Sequence, residues 1–149
     1  MTTFLHAFCA AQQRRLMKLQ PDKSDTQIIN AYGPGWVSVG SIIGGVPQLE
    51  KVTHSIVIGS RGERLDWLGV GFDQLSADLF DQLARLKPEL IVFGSGSKLR
   101  FPSPALQRTL MAARIGLETM DTLAACRTYN ILAGEDRHVL GVFLIDPVL

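Results

Sequence analysis

Apolar residues fall into short clusters along this chain, and their spacing changes about halfway along it. In the first half, Gln27–Tyr32, Trp36–Val39 and His54–Ile58 are rich in β-branched and aromatic residues, which is typical of strands. Turn signals separate them at Gly33-Pro34-Gly35 and at Gly44-Gly45. This half predicts a small antiparallel meander that leads into a central sheet.

Helical spacing begins in the second half. Ser76 can cap a helix, which ends at Lys87-Pro88 because proline stops a helix. Ser103-Pro104 marks a second helix start, since proline suits the first helical position, and Gly116 marks its end. The residues predicted to face the core are Ala77, Phe80, Leu83, Ala84 and Leu86 in the first helix, and Leu106, Leu110, Met111 and Ala113 in the second.

Three further strands alternate with these helices. Leu90–Phe93 is apolar throughout, as in a strand covered on both faces; Leu117–Met120 and Val139–Ile145 follow. Asp121 caps a third helix, which ends at Gly134. Successive strand–helix units imply right-handed crossovers and a parallel core. We therefore expect an α/β fold: a three-layer domain around a central mixed, largely parallel sheet with an antiparallel N-terminal β addition.

Composition narrows the class of protein. The chain has 149 residues, of which 46% are hydrophobic and 19% charged, so it is globular and long enough for one substantial core. Its net charge is +1 and the basic residues are dispersed, so we expect no nucleic-acid partner. The longest apolar runs are too short to span a bilayer.

The cysteines and histidines indicate neither a metal site nor a reactive thiol. Cys9 and Cys126 lie far apart, and His6, His54 and His138 show no zinc-type or catalytic spacing. We interpret Cys126 as a buried structural cysteine, because a nucleophilic thiol needs an activating base or cationic surroundings. No metal and no other cofactor is predicted.

The first twenty residues differ from the rest of the chain. Met1–Gln20 has no acidic residue and carries three basic ones beside an apolar patch. We interpret residues 1–24 as a flexible N-terminal tail and residues 25–149 as a single α/β domain. Two alternatives are a native start at Met17, as in a bacterial protein, and an organelle transit peptide. The bacterial interpretation places the protein in the cytoplasm; a transit peptide would place it in the mitochondrial matrix.

Two loops that follow predicted parallel strands are candidates for a binding site. Gly94-Ser95-Gly96-Ser97-Lys98 follows one strand and Asp121-Thr122 follows the next. Ligands of open α/β sheets bind beyond the carboxyl ends of the strands, so adjacent strands would place both loops in one crevice. Glycine amides, serine hydroxyls and Lys98 could hold an anion there. The alternative is a glycine-rich turn required by geometry, since neither a dinucleotide fingerprint nor a P-loop is present.

The segment Asp121–Asn130 contains Thr, Cys, Tyr and Asn, which are poor choices for a helix interior. Residues that disfavour the structure in which they are placed tend to mark functional or tightly constrained sites. Arg127 and Asn130 share a helix face. This face is either a contact surface for a partner or small anion, or an internal one, with Arg127 paired to Glu135 or Asp136 and Asn130 holding the next loop.

Two longer motifs resemble a known family. They are Pro88–Gly96 and Met120–Leu132, the second followed by Glu135, Arg137 and Val139. They resemble a family of small domains of unknown function, whose eukaryotic members include mitochondrial respiratory complex I assembly factor three and the adipogenesis-associated domain proteins. The resemblance covers roughly Gln27 to Ile145 and implies three layers around a mixed sheet. It carries over no catalytic residue.

The resemblance implies an uncharacterised, non-enzymatic binding or assembly-factor-like domain linked to maturation of respiratory complex I. Its partner would be a protein of respiratory complexes, and a homo-oligomer is compatible with the sequence. The alternative is a small-molecule or anion-binding enzyme that uses the crevice formed by Gly94–Lys98 and Asp121–Arg127. The lack of a catalytic set in the sequence favours the first.

Overall fold

The computed structural model describes residues 26–146. The predicted tail, the alternative start at Met17 and the transit peptide therefore lie outside the described residues. The strands are β1 (Ile28–Gly33), β2 (Trp36–Ile43), β3 (Val46–Val52), β4 (Ser55–Gly59), β5 (Arg64–Trp67), β6 (Leu90–Gly94), β7 (Gly116–Met120) and β8 (Val139–Phe143). The α-helices are α1 (Ala77–Arg85), α2 (Arg108–Ala112) and α3 (Thr122–Ala133).

The strands form two sheets. β1, β2 and β3 make an antiparallel three-stranded sheet, and the other five are ordered β5-β4-β8-β6-β7. β6 runs parallel to both β7 and β8, whereas β4 runs antiparallel to β5 and β8. The predicted α/β fold with a mixed central sheet and an antiparallel N-terminal addition is confirmed. The first three strands form a sheet of their own, however, and only β4 and β5 of the N-terminal half enter the central sheet.

Each face of the central sheet is covered by a different layer, because alternate strand residues point to opposite faces. One apolar cluster joins the sheet to α1 and α2 and contains Val57, Ile91, Phe93, Leu140, Val142, Phe80, Leu83 and Leu110. The other joins it to α3 and the three-stranded sheet and contains Ile56, Ile58, Val92, Phe143, Ala125, Cys126, Tyr129, Ile29, Val37 and Val39. The central sheet is thus the middle of three layers.

Two of the predicted helices have the caps that the sequence indicates. The Ser76 hydroxyl accepts a hydrogen bond from the Leu79 amide at 3.4 Å. The Asp121 carboxylate accepts one from the Ala124 amide at 2.9 Å, and α3 ends at its C-cap, Gly134. These caps satisfy amides that the first turn of a helix leaves without a partner.

The prediction was wrong for the second helix. Ser103-Pro104 opens a 3-10 turn, and the α-helix that follows has five residues. One helical turn presents few positions to the core, so Leu110 is buried while Met111 is 67% exposed. Gly116 does not end the helix; it is the first residue of β7. The chain instead reverses at Arg114, whose φ is 58°.

Three smaller predictions also differ. Ala77 and Ala113 are exposed rather than facing the core. The last strand stops at Phe143 rather than Ile145, because β8 pairs with β6 only as far as Gly94. The extra residues, Leu144 and Ile145, instead line the site described below, together with Asp146.

Candidate functional site

The loop after β6 and the start of α3 lie side by side at the carboxyl end of the parallel strands. β6 and β7 are adjacent, as a shared crevice requires. Gly96 and Thr122 exchange two hydrogen bonds, from the Gly96 amide to the Thr122 hydroxyl and from the Thr122 amide to the Gly96 carbonyl, both 2.9 Å long. The chain leaves β6 toward α2 on one face and β7 toward α3 on the other. This is the topological position at which open α/β sheets bind ligands.

The two glycines of the loop allow the close approach of α3. A Cβ on Gly94 would lie 2.9 Å from the Thr122 Cα, which is closer than atoms can pack. Gly96 has a φ of 108°, which favours glycine, and its Cβ would meet the Arg100 guanidinium and the Asp146 carboxylate at 2.8 Å. The glycine spacing is therefore required by packing at this junction.

Asp146, which follows β8, contacts the loop after β6. Its carboxylate accepts hydrogen bonds from the Ser97 amide and hydroxyl, each 2.8 Å, and lies 3.4 Å from the Arg100 guanidinium. Burial raises the pKa of Asp146, but the bonds from Ser97 and the charge of Arg100 outweigh it, so the pKa lies below its usual value. Asp146 was not among the predicted site residues, although it directly follows the last predicted strand and thus lies beyond its carboxyl end, as the other two loops do.

A cavity of about 320 Å³ opens above this junction. Its walls come from four separate segments: the β1–β2 turn with Trp36, the loop at Gly96, the start of α3 with Leu123, and the residues after β8. Trp36 is half-buried, and the Lys51 ammonium lies 5.0 Å from the centre of its ring. Trp36 was not among the predicted site residues, because nothing in its local sequence shows that the β1–β2 turn reaches α3. Leu123 lies within the predicted segment Asp121–Arg127 but was not named as a binding residue.

The predicted site residues take different positions around this cavity. Gly96, Ser97 and Thr122 line it. Gly94 and Ser95 are buried, with the Ser95 hydroxyl donating to the Lys98 carbonyl at 2.6 Å.

The remaining predicted residues lie at the rim or on α3. Lys98 is exposed, and Asp121 caps the helix. Arg127 is exposed one turn beyond Leu123 and donates to the Tyr32 hydroxyl at 3.1 Å.

Asn130 has a structural contact that the sequence does not reveal. Its side-chain amide donates to the Ile29 carbonyl and accepts from the Ile29 amide, both at 2.8 Å. β1 is an edge strand, so Asn130 occupies the hydrogen-bonding groups that its free edge would otherwise expose. It therefore holds β1 against α3 rather than the loop that follows the helix.

The backbone amides proposed for an anion are already bonded within the protein. The Ser95 amide donates to the Met120 carbonyl, the Gly96 amide to Thr122, and the Ser97 amide to Asp146. A carboxylate of the chain itself thus accepts the bond that an anion would accept. This arrangement corresponds to the alternative in which geometry requires the glycine-rich turn.

Cys126 lies beneath α3 in the core. It is fully buried, and this burial raises the pKa of its thiol to about 12. A thiol with so high a pKa has almost no thiolate at neutral pH, which agrees with the structural role predicted for it. Within residues 26–146 no three side chains of metal-ligating type come together, and none of the helices there has the length and hydrophobicity of a membrane span.

Solved structures from bacteria share this architecture. A crystal structure of a Bordetella parapertussis protein matches with a TM-score of 0.69 and 34% identity, covering 81% of this chain and 97% of that chain. A solution structure of an Mth938-like domain from Bordetella pertussis matches with a TM-score of 0.68 and 28% identity, covering 83% of this chain and 88% of that chain. The fold is that of an Mth938-like domain.

The chain belongs to the family described as protein of unknown function (DUF498/DUF598), whose model matches residues 29–144. A human relative is NADH dehydrogenase (ubiquinone) 1 alpha subcomplex assembly factor 3. It is 31% identical over 140 residues, a stretch that covers 91% of this chain and 70% of the relative. The resemblance inferred from the sequence is confirmed, and the family includes complex I assembly factors.

Proposed function

We propose that this protein is a non-enzymatic, assembly-factor-like domain that binds a protein partner at the crevice beyond β6, β7 and β8, and that this partner belongs to respiratory complex I. The observation that carries the proposal is the match of 91% of the chain to an assembly factor named for that complex. In a bacterium this protein would bind its partner from the cytoplasmic side. If the N-terminal segment is a transit peptide, the corresponding compartment is the mitochondrial matrix.

The chemistry of the crevice supports recognition rather than catalysis. Its polar groups are engaged with one another: Ser97 and Arg100 bond to Asp146, and Thr122 bonds to Gly96 and to the Leu144 carbonyl at 2.7 Å. Apolar surface is also accessible in the crevice, since Leu123 is 41% exposed and Trp36 is half-buried. A tryptophan beside an aliphatic residue at the mouth of a cavity is the type of anchor that dominates protein–protein binding energy.

The role in complex I is tested by deleting the gene. We expect the fully assembled NADH:quinone oxidoreductase to decrease on native gels and to return when the wild-type gene is restored. Complex I assembled to the same level in the deletion strain would contradict the proposal.

The enzyme alternative is tested by a ligand screen. Phosphates, nucleotides and carboxylates are added to the purified protein, and its melting temperature is measured, since a ligand that binds the folded state raises it by mass action. We expect no specific rise. A saturable increase with one compound, lost in a Ser97→Ala variant, would favour the small-molecule alternative.

A further inference from the structure

The crevice, called the slot below, has room for a large apolar side chain. Its volume of about 320 Å³ is at the lower end of the range of small-molecule pockets, about 300–1,000 Å³. Its apolar lining comes from Pro34, Trp36, Leu123, Leu144 and Ile145. Leu123 is 41% exposed, whereas Leu144 is fully buried. An apolar side chain inserted here would be removed from water on several sides, which is the condition for a strong anchor.

The charges around this slot are mainly positive. The Lys51 ammonium lies over the Trp36 ring, Arg127 follows Leu123 by one helical turn, and Lys98 follows Ser97, which lines the slot. All three cations are exposed.

Two carboxylates lie nearby, compared with these three cations and Arg100. Asp146 accepts bonds from Ser97 and lies against Arg100, and Asp121 caps α3. The rim therefore complements negative charge, which speeds association and selects partners more than it adds affinity.

We infer that the crevice binds an acidic segment of the partner protein and that one apolar side chain of this segment enters the slot between Trp36 and Leu123. This inference rests on the proposed partner-binding function and specifies its chemistry. The apolar side chain supplies most of the affinity, and Asp or Glu residues beside it face Lys51, Lys98 and Arg127.

The test is a selection of random peptides displayed on phage against the purified full-length protein. We expect the enriched peptides to share one large apolar residue flanked by Asp or Glu. Synthetic copies, measured by fluorescence anisotropy, should bind about tenfold more weakly to a Leu123→Glu variant. The matched control is Ile131→Glu, which makes the same change at an exposed position on the same helix, outside the slot, and should leave the affinity unchanged.

Charge reversal tests the acidic part of the inference. Arg127→Glu should weaken binding and reduce its dependence on salt concentration. Arg108→Glu, on α2 across the central sheet, should change neither. Circular dichroism confirms the fold of each variant, and Leu123→Ser replaces Leu123→Glu if that variant does not fold.

Each of three outcomes would overturn the inference: no peptide enriched over a bead control, an enriched motif that is neutral or basic, or equal losses in Leu123→Glu and Ile131→Glu. The proposed function fails separately. If the selected peptides carry an apolar residue flanked by acidic ones but the deletion strain assembles complex I normally, the inference about the slot holds and the role in complex I is contradicted. If the deletion strain has an assembly defect but the selected peptides share a different motif, the role in complex I is supported and the inference about the slot is contradicted.

Discussion

At the scale of single residues, the glycines of the loop after β6 show how packing rather than ligand contact explains a motif. The Gly94 Cα lies where the backbone of α3 crosses, and a Cβ there would meet the Thr122 Cα at 2.9 Å. A backbone atom cannot rotate away, so the strand and the helix would have to separate.

Gly94→Ala should accordingly lower the free energy of unfolding by about 1–3 kcal/mol. Urea denaturation followed by circular dichroism measures the change. Gly134→Ala is the control, because a Cβ there lies no nearer than 3.4 Å to the Asn130 carbonyl oxygen and the φ of Gly134 is −73°. Its effect should stay within about 0.5 kcal/mol, and an equal loss in both variants would contradict the packing argument.

Burial of Cys126 predicts a loss of stability at alkaline pH. Its folded pKa of about 12 lies above the ordinary thiol pKa of about 8.5, so the unfolded chain loses its proton first. The stabilisation is complete below the unfolded pKa and declines as the pH rises from about 8.5 toward the folded value. Tyr129, whose pKa burial also raises, adds to this decline at higher pH.

In a Cys9→Ser background, the unfolding free energy should fall between pH 8 and pH 10. Replacing Cys126 by Ala should reduce this fall by about 1–2 kcal/mol. The parent with Cys126 intact should react with a thiol reagent only after unfolding. Equal slopes in the two proteins, or rapid labelling of the folded parent, would show that the thiol is accessible.

At the scale of elements, Asn130 couples α3 to the edge of the three-stranded sheet. Its two hydrogen bonds to Ile29 join residues 101 positions apart. Asn130→Ala should lower the unfolding free energy by about 2 kcal/mol, because it leaves the buried Ile29 amide and carbonyl without their partner.

Hydrogen exchange locates this effect. The Ile29 amide should exchange faster in Asn130→Ala, whereas Ile131→Ala, which changes an exposed neighbour on the same helix, should leave it unchanged. An unaltered exchange rate in Asn130→Ala would mean that β1 is held in place by other contacts.

The elements that the sequence predicted well are those whose signals are local. Caps at Ser76 and Asp121, and the apolar run that became β6, depend on neighbouring residues. The second helix was mispredicted because Met111 fits a helical apolar pattern, yet the five-residue α2 turns it to solvent. Local spacing cannot show how many turns a helix completes.

At the scale of the whole molecule, the crevice joins segments that lie far apart in the chain. The loop at Gly96 and the start of α3 were predictable, because each follows a parallel strand. The β1–β2 turn and Trp36 were not, because the three-stranded sheet reaches the crevice only through tertiary contacts such as that of Asn130 with Ile29. The sequence therefore predicts the loop at Gly96 and the start of α3 as parts of the site, but not the β1–β2 turn.

Complementation tests whether this crevice is the surface through which the protein supports complex I assembly. A deletion strain receives the wild type, Leu123→Glu or Ile131→Glu, expressed at equal levels, and assembled NADH:quinone oxidoreductase is quantified on native gels. We expect the wild type and Ile131→Glu to restore the complex and Leu123→Glu to fail. Full restoration by Leu123→Glu would show that complex I assembly does not depend on this crevice.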